Sequence, residues 1–202
     1  MAEYTLHYFD VRGRGEPIRL ILQYAKVPFN DVRIQRQEWR AKKQTFPFGQ
    51  LPVLETNGQL IPQSYAIARY LSKKYGLYGS NYEEAAQIDA VADLYKDFIF
   101  EVAPYLHRKP TADKEQMKKS IFEPALEKFI PLFEKLLEQS KSGFFGKNVS
   151  FADFFFAEGI QSLKNVEPES LKDHPIITEH QERVHSLPDI KDYVANRPYS
   201  DF

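Results

Sequence analysis

The sequence predicts an α/β module of order βαβ then ββα over residues 1–77, followed by an all-α domain over residues 82–202. Three observations carry this reading. A strand-like run, a Gly-containing turn and an amphipathic helical stretch follow one another at the start; an Asn-Gly pair separates two short strand-like segments; and beyond Gly76 only helical periodicity is found. Residues 4–9, Tyr-Thr-Leu-His-Tyr-Phe, are rich in aromatic and β-favouring types and run into Arg12-Gly-Arg-Gly15, which reads as a strand ended by a turn. Ile18, Ile21, Leu22 and Ala25 then repeat at the spacing of a buried helical stripe, with Pro17 suited to its first turn. Residues 29–34 form the second strand. Asn57-Gly58, flanked by 53–55 and 59–61, is a strong hairpin signal because both turn positions require positive φ. A helix over 64–75 presents Ile67, Tyr70 and Leu71 to the core, and Gly76 suits the position just past its end.

In the second domain helices are expected over 82–107, 113–139, 151–163, 175–186 and 189–195. Ser80 and Glu83 have capping-box spacing ahead of the first of them. Pro124 and Pro131 predict kinks or a break in the second. Ser150 and Asp153 read as a cap and its acidic partner, with Val149 and Phe154 as a hydrophobic staple.

At 202 residues the chain has room for one large domain or two small ones, so the division rests on pattern and not on length. Hydrophobic residues make up 43% and charged residues 27%, which fits a packed core and argues against disorder. The 27 basic and 28 acidic residues leave a formal charge of -1, so no overall basic field attracts phosphate backbones and no nucleic-acid partner is expected. The opening residues lack an apolar signal-like run, and no stretch of about eighteen apolar residues occurs. Neither secretion by that route nor a membrane span is expected, and the expected location is cytoplasmic. There are no cysteines, which excludes a disulfide framework, a Cys-ligated zinc and a redox Cys-x-x-Cys. Any thiol chemistry must use a thiol brought in by a ligand.

Several motifs fall together on this framework. They are Tyr8 at the end of the first strand, Arg14 in the turn, Trp39, Lys43, Phe46-Pro-Phe-Gly-Gln-Leu-Pro52, Gln63-Ser64 opening a helix that contains Ala66-Ile-Ala-Arg-Tyr-Leu71, and Phe151-Ala-Asp153. Their order and spacing resemble the glutathione transferases across essentially the whole chain. The resemblance implies a thioredoxin-like first domain and a helical second domain. Tyr8 with Trp39 and Gln63-Ser64 is most similar to the Sigma class, which includes glutathione-dependent prostaglandin D synthases and similar invertebrate enzymes. A homodimer is implied that conjugates glutathione, as substrate, to hydrophobic electrophiles in detoxification.

Tyr8 is the candidate catalytic residue, and the physical case for it is separable from the resemblance. A cysteine-type thiol has a reference pKa of about 8.5, and lowering it by about two units requires roughly 2.7 kcal/mol. One hydrogen bond to a charged group supplies about 1.5 to 3 kcal/mol, so a single phenol aimed at the sulfur has the required strength. Position alone also allows a core tyrosine with its hydroxyl at the sheet edge.

Glutathione carries two carboxylates and an ammonium, so its site calls for cations, an anion-binding helix start and one carboxylate. Gln63 and Ser64 stand where free N–H groups and the helix dipole favour an anion, although Ser64 alone would serve as a simple cap. The resemblance assigns them the γ-glutamyl carboxylate. It assigns Arg14, Trp39 and Lys43 to the glycyl carboxylate, the main chain of Leu51 ahead of a cis Pro52 to the cysteinyl backbone, and Gln50 to an added side-chain contact. Asp97, by the same resemblance, reaches the γ-glutamyl ammonium of a second subunit. Asp93, Lys96 and Asp97 occupy the place of a cation site found in some Sigma members, but Lys96 brings a positive charge, and no metal is expected.

Family position places the second-substrate pocket at Phe9, Val11, Phe100, Tyr105, Phe155 and Phe202, most of which would serve equally in a core or on a surface. Two other functions stay open: isomerisation of a prostaglandin endoperoxide by the same thiolate, and carriage of haem or other lipophilic ligands. Two further motifs carry little. Gly13-Arg-Gly15-Glu-Pro-Ile18 has Ile18 where a dinucleotide fingerprint needs Gly or Ala. Asn148-Val-Ser150 has the form of a glycosylation sequon, but Ser150 is better explained as a cap.

Overall fold

The structure is a computed structural model that describes residues 3–109 and 113–202. Residues 1–2 of the expected first division and 110–112 of the expected second lie outside the described residues. Two compact units emerge, one of residues 1–78 together with 185–202 and one of residues 79–184. The last stretch of chain, expected in the helical domain, thus groups with the N-terminal residues.

In the first unit β1 (Tyr4–Phe9), α1 (Glu16–Tyr24) and β2 (Phe29–Ile34) give the βαβ opening. There follow α2 (Arg36–Lys42), two single turns at Lys43–Thr45 and Pro47–Gly49, then β3 (Val53–Thr56), β4 (Gln59–Pro62) and α3 (Ser64–Tyr75). The sheet order is β2-β1-β3-β4, with β1 parallel to β2 and antiparallel to β3, and β3 antiparallel to β4. This is the thioredoxin-like strand order and direction that the resemblance implies. The hairpin turn has φ of 50° at Asn57 and 73° at Gly58, the backbone that pair was expected to adopt. No helix was expected over 36–42. That segment, Arg-Gln-Glu-Trp-Arg-Ala-Lys, buries none of its residues and so carries no apolar periodicity to read.

The second unit is helical, with α4 (Tyr82–Leu106), α5 (Lys114–Met117), α6 (Glu123–Ser140), α7 (Phe151–Val166) and most of α8 (Pro175–His185). The break expected near the two prolines falls ahead of the first. A wide π turn over Lys118–Phe122 separates α5 from α6, Pro124 stands in the first turn of α6, and the helix continues through Pro131. The core is aromatic. Phe133 lies 4.6 Å from Phe156 and 6.0 Å from Phe98, and Phe145 meets Phe156 edge-on at 5.1 Å. Asp153, fully buried, ties this core to the start of α7. One carboxylate oxygen accepts the Ser150 N–H at 2.8 Å and the Ser150 hydroxyl at 2.7 Å; the other accepts the Phe145 N–H at 2.9 Å and lies 2.8 Å from His180 Nε2.

The expected cap on α4 is corrected by one residue. Asn81, not Ser80, is the N-cap, its Oδ1 accepting the Glu84 N–H at 2.8 Å. Glu84, not Glu83, turns back: it accepts the Ser80 N–H at 2.8 Å, the Ser80 hydroxyl at 2.6 Å and the Lys147 N–H at 3.1 Å. Sequence spacing fits both pairs, and the choice is decided by Glu84 also reaching Lys147. The Ser80 side chain, then the Ser80 and Lys147 N–H groups, hold the Glu84 carboxyl down to about 2. The folded value lies below the unfolded one of roughly 4.3, so the stabilisation is complete above that value and is lost as pH falls toward about 2. Glu84→Gln is expected to cost about 1–3 kcal/mol at pH 7, and progressively less between about pH 4 and pH 2, measured by urea unfolding of both proteins across that range.

Beyond α8, a last short helix, α9 (Lys191–Asn196), leads into residues 197–202, all within the first unit.

Candidate active site

Strand alternation sets the site. Along β1, Tyr4, Leu6 and Tyr8 are buried on one face, while Thr5, His7 and Phe9 are half-buried on the other. Tyr8 therefore turns toward the loop that follows β1, and Phe9 turns toward Trp39, meeting it edge-on at 5.5 Å. Phe46 continues this second group, 5.8 Å from Trp39 and 5.3 Å from His7.

The Tyr8 hydroxyl oxygen accepts the Arg14 N–H at 2.9 Å. That bond occupies a lone pair and leaves the phenol proton free to be donated elsewhere. Burial pushes the phenol above its ordinary value, opposed by the Arg14 N–H and by the charges of Arg14, Arg19 and Arg36. The group is thus a neutral donor at physiological pH. Its position depends on two glycines that the sequence showed only as turn residues. A Cβ at Gly13 would lie 2.6 Å from the Tyr8 hydroxyl, and one at Gly15 would lie 2.3 Å from Cδ1 of the ring.

Behind the ring lies Arg19, fully buried with its guanidinium carbon 5.8 Å from the Tyr8 centroid. Arg19 donates to Glu16 at 2.9 Å, to both oxygens of Asp31 at 3.1 Å, and to the carbonyls of Val11 at 2.9 Å and Phe9 at 3.3 Å. Arg33 joins Asp31 to Asp10 with two bonds of 2.8 Å, and Arg197 donates to the other Glu16 oxygen at 3.0 Å. Sequence reasoning passed over Arg19 and Glu16. The available signal is two charges three apart at the start of a helix that continues as Leu20, Ile21 and Leu22.

Beside these groups is an open cleft of about 260 Å³ lined by Phe9, Arg14, Trp39, Gly49, Gln50, Leu51, Pro52, Gln63 and Ser64. Eight of the expected residues are brought together there: Phe9, Arg14, Trp39, Gln50, Leu51, Pro52, Gln63 and Ser64. The Leu51–Pro52 bond is cis. Ser64 opens α3 and is 5% exposed, with the positive end of that helix directed at the cleft wall it forms. Gln63, the residue before it, has φ 74° and ψ 117°, and its amide nitrogen donates to Gln50 Oε1 at 3.0 Å. This backbone is strained for a residue with a side chain, a feature that clusters at ligand sites and leaves no trace in sequence. Lys43 is exposed in the turn after α2, and its stem passes Gly49, where an added Cβ would meet Lys43 Cε at 3.1 Å.

The six residues expected in the second-substrate pocket divide between the units. In the first, Phe9 lines the cleft, while Val11 and Phe202 are half-buried. In the second, Phe100 is 78% exposed, whereas Tyr105 and Phe155 are core residues at 1% and 3%. The Tyr105 hydroxyl donates to Glu167, and its ring lies 4.8 Å from Phe122. Asp93, Lys96 and Asp97 are all exposed on α4. Among the described residues no group of three or more His, Asp or Glu could hold a metal, and no helix is long and apolar enough to cross a membrane.

Comparison with known proteins agrees with this geometry. Residues 4–73 match the profile of the glutathione S-transferase N-terminal domain, and residues 96–197 that of the glutathione S-transferase C-terminal domain. Glutathione S-transferase 1 of Ascaris suum is 41% identical over 206 residues, covering 100% of both chains. Among solved structures, a Nu-class enzyme of Haemonchus contortus matches with a TM-score of 0.91 at 39% identity over 100% of each chain. A Necator americanus glutathione S-transferase described as monomeric matches at 0.92 and 39%, covering 99% of this chain and 100% of its own. Prostaglandin synthase D of Nilaparvata lugens matches at 0.89 and 34%, covering 97% and 98%. The chain belongs to the glutathione S-transferase family. It is a transferase whose substrate is glutathione.

Gly13 offers a direct test of how the phenol is held. It has φ 37°, and any side chain there strains the turn and presses on the Tyr8 hydroxyl. Gly13→Ala is expected to lower turnover about tenfold or more while costing only about 1–3 kcal/mol of stability. Steady-state kinetics and thermal unfolding of the same preparation check both figures.

Proposed function

We propose that Tyr8 holds bound glutathione as its thiolate by donating a hydrogen bond from its neutral phenol O–H to the sulfur, and that the thiolate then attacks hydrophobic electrophiles. The single observation that carries this reading is the Arg14 N–H bond to the Tyr8 oxygen, which fixes the phenol while leaving its proton available. A thiol of reference pKa about 8.5 needs roughly 2.7 kcal/mol to fall by about two units. One hydrogen bond of about 1.5 to 3 kcal/mol supplies most of it.

The other roles follow from the cleft's chemistry. Ser64 and Gln63 at the start of α3 receive the γ-glutamyl carboxylate, supported by the helix dipole. Arg14, Lys43 and the Trp39 indole N–H suit the glycyl carboxylate. Leu51, before Pro52, offers main-chain groups to the cysteinyl backbone, with Gln50 beside it. Within the first unit, Phe9, Val11 and Phe202 are the proposed surroundings of the electrophile. Asp97 belongs to the γ-glutamyl ammonium of a second subunit. Its exposure on α4 supports that role, as does Phe48, which is 73% exposed and available to a second copy. The relative described as monomeric makes the two-subunit state the part of this reading that measurement must decide.

Sigma-like character is supported by Tyr8, Trp39, Gln63 and Ser64 and by the prostaglandin synthase likeness. The Nu-class enzyme, at higher identity, favours a nematode class instead. Prostaglandin-endoperoxide isomerisation is a second reading, favoured by that one likeness at 34% identity.

Tyr8→Phe is expected to raise the pKa of the bound thiol and to cut turnover by roughly ten- to a hundredfold. Unchanged thiolate absorbance at neutral pH in the variant would reject the assignment. Asp97→Asn is expected to weaken glutathione binding several-fold, about 1 kcal/mol, without unfolding the protein. Light scattering that finds a fully active monomer contradicts that role.

A further inference from the structure

The loop that carries the Arg14 N–H is held at Val11 by Arg19 and at Arg14 by the Tyr8 hydroxyl, and between them at Arg12. Gly15, the N-cap of α1, makes no side-chain capping bond. The Arg12 carbonyl accepts the Gly15 N–H at 3.2 Å and the Glu16 N–H at 2.9 Å, so the start of the helix hangs on Arg12. Arg12 in turn is fastened to the far end of the chain. Its own N–H donates to the Phe202 main-chain oxygen at 2.9 Å and to the Ser200 hydroxyl at 3.3 Å. Its guanidinium donates to the Ser200 carbonyl at 3.2 Å and the Asp201 carbonyl at 3.1 Å, and the residue is 4% exposed. A second fastening lies at the other end of the same segment, where Arg197 donates to Glu16 at 3.0 Å. The crevice between loop and tail, lined by Val11, Arg12 and Tyr199 among others, has room of only about 10 Å³, one water at most.

We propose that residues 197–202 are a strap that positions the Tyr8 hydroxyl, with Arg12 and Glu16 as positioning residues for thiolate formation. The inference rests on the reading of Tyr8 given above. The strap acts through contact. Gly13 packs against the Tyr8 hydroxyl and Arg14 binds it, so displacement of the loop changes the direction in which the phenol donates. A hydrogen bond to a developing thiolate weakens steeply with such misalignment. The tail thereby sets the acidity of the thiol without touching it.

The test uses the full chain, a chain ended after Pro198, and Arg12→Lys. The pKa of bound glutathione is read from thiolate absorbance with no electrophile present, so loss of Phe202 from the electrophile's surroundings does not enter. In the shortened chain and in Arg12→Lys this pKa is expected to rise by about 0.5 to 1 unit. Turnover below that pKa should then fall about three- to tenfold. Glutathione affinity is expected to change less than about twofold. In a Tyr8→Phe background the shortening is expected to add no further shift. If Tyr8→Phe raises the thiol pKa but neither the shortened chain nor Arg12→Lys does, the strap is overturned and the Tyr8 reading stands. If Tyr8→Phe itself changes nothing, both fall. Should the shortened chain fail to fold, Arg12→Lys decides alone: an unshifted thiol pKa in that variant overturns the strap.

Discussion

A guanidinium removed entirely from water is tolerated only where its donors are met and its charge is answered, because the uncompensated group costs several kcal/mol. Arg19 imposes that condition on the N-terminal unit. Meeting it requires Glu16 from α1, Asp31 from β2, the carbonyl of Phe9 at the end of β1 and that of Val11 in the loop beyond it, all at once. The strand end, the neighbouring strand and the first helix are thereby held at a common point, and Tyr8 sits against it. Hydrophobic packing alone is non-directional and would tolerate a shift of the strand end by a fraction of an ångström. A five-donor fork meeting fixed acceptors does not.

The alternation and spacing of apolar residues made the fold legible because burial imposes them. β1, the Asn57-Gly58 hairpin, α3 and the start of α7 all follow from local pattern together with turn or cap chemistry. What failed to show was of two kinds. α2 buries nothing, so it has no stripe to detect. Arg12 and Glu16 reach residues beyond 196, and no local window contains both halves of such a contact, whereas the Glu16–Arg19 pair is local but reads in sequence as two ordinary helix charges. The cap of α4 lies between these cases: two adjacent registers satisfied the same spacing, and Lys147, distant in sequence, selected one.

The site was legible in the same uneven way. Arg14, Trp39, Gln63 and Ser64, which line the cleft, were legible together with Tyr8 only through the resemblance to the glutathione transferases, since each taken alone reads as an ordinary surface, packing or capping residue. Tyr105 and Phe155 were not distinguishable in advance from core residues, and the structure buries both. Aromatic side chains serve a core and a hydrophobic pocket equally well, so their type alone carries no address.

The backbone at Gln63 has a consequence for how this protein can vary. Holding a side-chain-bearing residue at φ 74° and ψ 117° stores about 1 to 3 kcal/mol that glycine would not store. Gln63→Gly would release that strain and discard the amide that meets Gln50. Stability and the Gln63–Gln50 contact therefore pull in opposite directions at this one position. A lineage adapting to higher temperature would have to gain its robustness elsewhere, in the helical unit or on the surface, and leave residue 63 as it is.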